Sequence, residues 1–304
     1  MSRRWWGLGL LGVLALAGWQ GSGWAASPTS TFQGVFWQPD CHSGPRLTDY
    51  RPLGAEFVVL QWTAVEGETF SGQGASACRL DWLEVQRQTG GLPLLLGLQG
   101  AYHPQRADLP ELARQSNLLA RQLLELPFDP PPLGYYAPLE VNPMWPADAV
   151  RSYLNALPRP LWVSAYLGPG QASADLLPWL ERALPQDVHL MFQDGVGAHG
   201  ANPFQVAALL RELRAARQGG VSVIMEVFRP MPLGGRYRSA LPWELEAQFR
   251  AYGDFQRVAF DGGHYLSRAW VQFYQFLQRL HRPAPGEHPE ESRARRALPW
   301  RTSA

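Results

Sequence analysis

A chain of 304 residues, 46% hydrophobic and 17% charged, carries enough apolar material for a sizeable core, which excludes a globally disordered protein. Its 27 cations against 26 anions give a net charge of +1, too balanced for a protein whose main partner is nucleic acid. All 27 cations are arginine, and a chain without lysine is no Schiff-base aldolase, pyridoxal-phosphate enzyme or Walker-type phosphate-loop protein.

In chain order, residues 1–25 read as an export signal. Arg3 and Arg4 precede an apolar run over 5–18, and small residues flank Trp24 at Gly23 and Ala25. The run is short for a membrane span, so cleavage is expected to leave a near-neutral periplasmic or secreted protein with no stable span. An uncleaved anchor is the alternative. Export puts Cys41 and Cys78 in an oxidising compartment, where a disulfide is the simplest expectation and two buried thiols the other.

From residue 31 the chain alternates short β-branched or aromatic runs with amphipathic helical ones. Strands are expected over 31–37, 56–62, 92–98, 134–140, 161–167, 188–194, 221–228 and 256–261. Helices are expected over 81–89, 109–126, 147–157, 172–184, 203–218, 242–252 and 267–280, with a weak one over 47–53. Gly90-Gly91, Pro130-Pro131-Pro132 and Gly219-Gly220 punctuate the series. Eight strands with crossover helices in about 250 residues is the arithmetic of a single (β/α)8 TIM barrel, here over 26–281. A doubly wound open sheet is the alternative and needs fewer repeats. The tail over 282–304, rich in Pro, Arg and Glu, is expected to be disordered.

Barrels of this kind place their chemistry at the carboxyl ends of the strands. Those ends are polar and aromatic here: Trp37, Gln61 and Trp62, Tyr102, Tyr136, Glu140 and Asn142, Tyr166, Gln193 and Asp194, Glu226, Asp261 and His264. Strand alternation puts Tyr136 and Glu140 on one face, and Ser222, Ile224 and Glu226 on another. An ionised carboxylate ending an apolar strand is costly unless paired or used. Glu140 and Glu226 across one mouth supply the acid and the nucleophile or base of glycoside hydrolysis. Aromatic rings suit the apolar faces of sugars, so a poly- or oligosaccharide is the expected partner. The rival reading holds each glutamate to an arginine such as Arg229, leaving a non-catalytic barrel that binds polysaccharide in surface-polymer assembly.

Glutamates ending strands four and seven resemble clan A glycoside hydrolases, which implies Glu140 as acid/base and Glu226 as nucleophile. Gly34-Val35-Phe36-Trp37-Gln38-Pro39, Leu60-Gln61-Trp62, Gly134-Tyr135-Tyr136 with Glu140, and Phe192-Gln193-Asp194-Gly195-Val196-Gly197 together resemble a family of exported bacterial barrels. That family carries a domain-of-unknown-function label and is thought to be glycosidase-like. One position departs from the clan pattern: Leu139 stands where Asn usually precedes the acid/base glutamate.

The run Gly195–Gly200 also fits G-x-G-x-x-G, but no acidic residue follows at the offset a dinucleotide needs, so a loop whose backbone approaches a ligand beside Asp194 is expected instead. No G-x-S-x-G elbow is present. His103, His199 and His264 fall near the rim without metal-ligand spacing, so neither metal nor cofactor is expected. Trp37 and Trp62 divide evenly between packing and platform, and Trp145, within Asn142-Pro143-Met144-Trp145-Pro146, is expected to contact ligand.

Overall fold

The computed structural model describes residues 31–39, 47–70, 80–103, 106–168, 173–217, 220–232 and 235–280. Residues 1–25, where an export signal is expected, Cys41, Cys78 and the tail over 282–304 lie outside the described residues. Eight strands form where the β-branched and aromatic runs lie: β1 Gly34–Trp37, β2 Phe57–Leu60, β3 Leu94–Gly97, β4 Gly134–Val141, β5 Leu161–Ala165, β6 Val188–Gln193, β7 Val221–Glu226 and β8 Gln256–Phe260. They close into a barrel in sequence order, β8 pairing β1, with every neighbour parallel.

Helices fill the crossovers, and their starts are chemically marked. Asp81 accepts from the Glu84 N–H at 3.1 Å, Asp108 from that of Glu111 at 3.3 Å and Asn202 from that of Phe204 at 2.9 Å. These caps begin the helices Trp82–Gln88, Leu109–Leu123 and Pro203–Ala216 by matching otherwise orphaned donors. The expected helix over 47–53 is a single 3-10 turn at Arg51–Leu53, because Pro52 has no N–H to carry a ladder further. The seventh strand stops at Glu226, and Phe228–Pro230 turns away to form a hairpin with Tyr237–Ser239. The stretch over 242–252 splits into a 3-10 turn, Pro242–Leu245, and a helix, Glu246–Ala251.

Alternation divides the core in two. Phe36, Phe57, Val59, Leu95, Tyr136, Met191, Ile224 and Val258 fill the barrel interior. Their neighbours in sequence, such as Val35, Val58, Leu96, Val223 and Ala259, point outward under the helices. Gly34 is glycine because the Phe57 ring would lie 2.5 Å from any Cβ there. The interior rings interlock, Phe36 meeting Tyr136 edge-on at 5.2 Å and Phe260 at 5.8 Å, so the barrel is a packed floor beneath its mouth.

Candidate functional site: two glutamates at one barrel mouth

Glu226 ends the inner face of β7, above Ser222 and Ile224, as alternation requires. Its carboxylate is held by the turn after β6. The Ala198 N–H donates to its Oε2 at 2.7 Å and the Gly197 N–H bonds the same carboxylate. The sequence Gln193-Asp194-Gly195-Val196-Gly197 builds that turn. Asp194 Oδ1 accepts from the Val196 and Glu226 N–H groups, each at 3.2 Å, and Oδ2 from Gln248 Nε2 at 2.6 Å. Gly195 adopts φ 61°, a left-handed conformation that opens the four-residue helix Val196–His199. The backbone of the glycine-rich run thus faces the Glu226 carboxylate, a partner within the protein that the sequence did not suggest.

Burial raises the Glu226 pKa above the ordinary glutamate range, while the two N–H donors and the charges of His199 and Arg229 oppose the rise. Asp194, only 2% exposed, is pushed up to about 7, first by burial and then by the Glu226 charge, against its three donors. Arg229 does not pair with the Glu226 carboxylate. Its guanidinium donates to the Glu226, Phe228 and Glu244 carbonyls and to Gln248 Oε1 at 2.6 Å. It is a brace under the hairpin.

Glu140 ends the inner face of β4, within an irregularity in the β4–β5 pairing between Ala137 and Val141. Its φ is 49°, a conformation that costs a non-glycine residue about 1–3 kcal/mol and that clusters at functional sites. Leu139 points outward into the fully buried outer core. Gln193 Nε2 donates to Glu140 Oε1 at 3.3 Å, and the Gln61 amide lies near enough to favour the ionised carboxyl. Burial, and then the negative charge of Glu226, raise its pKa against those two amides. Neither glutamate forms an ion pair within 4.0 Å among the described residues, whose bridges lie elsewhere.

The structure gathers Glu140, Gln61, Gln193, Asp194, Glu226 and Tyr166 into one network. Tyr166 is half-buried, and its hydroxyl is bonded by Asn142 and feels the charge of Glu140. Several expected ligand contacts are supports. Asn142 is buried and accepts from the Met144 N–H at 2.9 Å. Tyr136 lies in the barrel floor, its hydroxyl 2.7 Å from Ser164 Oγ. Trp37 points outward, and Gly263 must be glycine because a Cβ would sit 2.7 Å from that indole. Trp145 is buried in the outer core, its carbonyl accepting from Trp179 Nε1 at 2.8 Å. Gln61 and Asp194 are buried against the glutamates, and Asp261 is buried, accepting from the Gln38 and Gly263 N–H groups and meeting His264 Nδ1 at 2.7 Å.

What remains open on the rim is aromatic. Trp62, tied by Nε1 to the Pro39 carbonyl at 3.1 Å, stands edge-on to the exposed Tyr102 with ring centres 6.0 Å apart. A small sheet of Ala64–Val65, Glu68–Thr69 and Gln99–Gly100 carries this pair. His264, after β8, is exposed beside Tyr265. No group of three metal-ligating side chains occurs among the described residues, and none of their helices is long and apolar enough to cross a membrane.

Sequence reasoning missed Gly197 and Ala198 as donors, Gln248 and Arg229 as the brace behind Asp194, and Tyr265, whose hydroxyl feels the charges of Asp261 and Glu226. The Gln193–Gly197 motif itself was the available signal for the donors. Gln248 had none, since its partner is 54 residues away.

No protein-family model matches this chain, and no curated protein matches it. Among solved structures, the chain is similar to a protein from Pseudomonas aeruginosa assigned as a dihydrodipicolinate synthetase, at 14% identity and TM-score 0.40, covering 88% of this chain and 81% of that one. It is similar to one from Burkholderia cenocepacia assigned as a lyase/mutase, at 15% identity and TM-score 0.38, covering 90% and 93%. It is also similar to a D-psicose 3-epimerase with D-tagatose from Clostridium cellulolyticum, at 11% identity and TM-score 0.39, covering 87% and 95%. None of the three informs the chemistry of the mouth.

Proposed function

We propose that this chain is an exported glycoside hydrolase-like enzyme acting on poly- or oligosaccharide, with Glu140 as acid/base and Glu226 as nucleophile. The observation that carries the reading is the unequal treatment of two carboxyls at one mouth. Burial raises both pKa values, but backbone N–H groups oppose the rise at Glu226 and favour its anion, whereas Glu140 has only neutral amides and a negative neighbour. A group of the first kind attacks; a group of the second kind keeps a proton to give. In the reaction, Glu226 bonds to the anomeric carbon as the bond to the leaving oxygen breaks and Glu140 hands that oxygen its proton. A water, deprotonated by Glu140, then displaces Glu226. Trp62 and Tyr102 offer apolar faces to a bound sugar. Residues 1–25 support export to the periplasm or medium.

The test is a polysaccharide panel assayed for released reducing ends, with the anomeric configuration of the first product read by NMR. Wild type is expected to release ends with retention, and Glu140→Gln to be slower by about 10²–10⁴-fold on natural leaving groups. Aryl glycosides with acidic phenols, which need no proton, should largely escape that loss. Wild type that is inert on the panel, while binding oligosaccharide with an affinity unchanged by Glu226→Gln, would instead mark a binding barrel.

A further inference from the structure

Asp194 is buried and forms no ion pair within 4.0 Å among the described residues. Its shortest hydrogen bond comes from outside the barrel wall. Gln248 Nε2 donates to Oδ2 at 2.6 Å, against 3.2 Å for the Val196 and Glu226 N–H groups on Oδ1. Gln248 belongs to the helix Glu246–Ala251 and is fully buried. Its amide is in use at both ends. Oε1 accepts from Arg229 Nη2 at 2.6 Å, and Nε2 also donates to the Glu226 carbonyl at 3.3 Å.

These partners leave the amide one orientation. Arginine has donors only, so the amide oxygen must face Arg229 and the nitrogen must face Asp194. Turning the amide over would set N–H against N–H. A proton on Asp194 Oδ2 would meet a similar obstacle, O–H against N–H, and Oδ1 is already faced by two N–H groups. Arg229 also polarises the amide between itself and Asp194, which strengthens the Nε2–H bond in this dry interior. We infer that Gln248, oriented by Arg229, is a positioning residue: it reserves Asp194 as an acceptor and so keeps the turn bearing the Ala198 N–H seated against the Glu226 carboxylate. Burial, and then the Glu226 charge, push Asp194 toward its neutral form, and the Gln248 bond opposes them. The other groups facing Asp194 are the Arg229 guanidinium and the Tyr252 phenol, which burial and the Asp194 charge keep protonated.

The consequence for reactivity rests on Glu226 being the nucleophile of the proposed reaction, but the deciding test uses no substrate. It is a carbon-13 NMR titration of the aspartate carboxyls in the full chain, with the Asp194 signal identified by its loss in Asp194→Asn. In wild type that signal should titrate at about pH 7. Gln248→Met, which keeps the length and removes the donor, should move it to higher pH. Gln248→Asn, whose amide stops one methylene short, should move it the same way and decides the matter if the Met variant does not fold. Phe249→Leu loosens the same helix where it packs on Phe32 and Tyr274, and should leave the signal in place. An Asp194 titration unmoved in the folded Gln248 variants, or moved as far by Phe249→Leu, overturns the inference. On any glycan that wild type cleaves, Gln248→Met should lower kcat about tenfold at little changed KM, since the buried amide touches no substrate. A chain inert on every glycan would overturn the glycosidase reading alone, and the titration would still decide the role of Gln248.

Discussion

Replacing Gly197 by alanine asks whether the turn after β6 holds the carboxylate of Glu226. An alanine Cβ would lie 2.5 Å from the Phe228 carbonyl oxygen and 2.9 Å from two carbons of its ring. The ring can swing aside, but the carbonyl is backbone, so the turn itself must retreat. Restoring an ordinary contact of about 3.4 Å requires about 0.9 Å of movement. The Ala198 N–H bond to Glu226, 2.7 Å at rest, then approaches about 3.6 Å, where it is no longer a hydrogen bond. Losing a hydrogen bond to a charged group costs about 1.5–3 kcal/mol, or about 10–150-fold in rate. The donor favours the ionised form, so its loss raises the Glu226 pKa further. Carbon-13 NMR titration of the glutamate carboxyls reads that shift directly, and the acid limb of kcat/KM should move to higher pH with it. Alanine is the better helix former by about 1 kcal/mol, so the melting temperature should change little. A folded Gly197→Ala protein whose Glu226 titrates as in wild type would refute the reasoning.

Asp194 predicts a pH dependence of stability. Its pKa rises from 3.8 to about 7 on folding, so between those values the folded chain binds more protons than the unfolded one. Stability is then full below about pH 4 and declines by about 4 kcal/mol as pH rises through about 7. Asp194→Asn, which cannot ionise, should flatten this slope in denaturant titrations at pH 5 and pH 8, and equal slopes in both proteins would show that Asp194 titrates ordinarily. The two tryptophans at neighbouring strand ends should separate cleanly. Trp37→Ala is expected to cost about 3–5 kcal/mol of stability through a core cavity, while Trp62→Ala should weaken oligosaccharide binding about tenfold at nearly unchanged melting temperature.

The barrel was legible because β-branched and aromatic runs alternate with amphipathic ones along the chain, and three of the helix starts are capped besides, by Asp81, Asp108 and Asn202. Glu226 was legible for a related reason: Ser222 marks the inward parity of β7 in an otherwise apolar run. β1 offers no such mark. Phe36 points in and Trp37 out, yet Val35, Phe36 and Trp37 are all apolar, as strands buried on both faces are, so parity was invisible and Trp37 stayed divided between packing and platform. Trp145 misled because a proline-rich loop hides that its ring is covered by the outer core. The helix Val196–His199 spans four residues, too few for any period to register.

The mutual grip of β6 and β7 bears on how this mouth could be diversified. Asp194 on one strand holds the backbone N–H of Glu226 on the other, and the turn beyond Asp194 holds that same residue's carboxylate. An insertion between Gln193 and Ala198 would therefore unseat the reacting group, whatever the new loop offered a ligand. Trp62 and Tyr102 stand on a separate patch of sheet whose strands pair only with one another. Among the described residues, neither ring is hydrogen-bonded to either of the mouth glutamates. Substitutions meant to alter this mouth while sparing the Glu226 carboxylate belong at the exposed Tyr102 and half-buried Trp62, and the β6 turn should be left as it is.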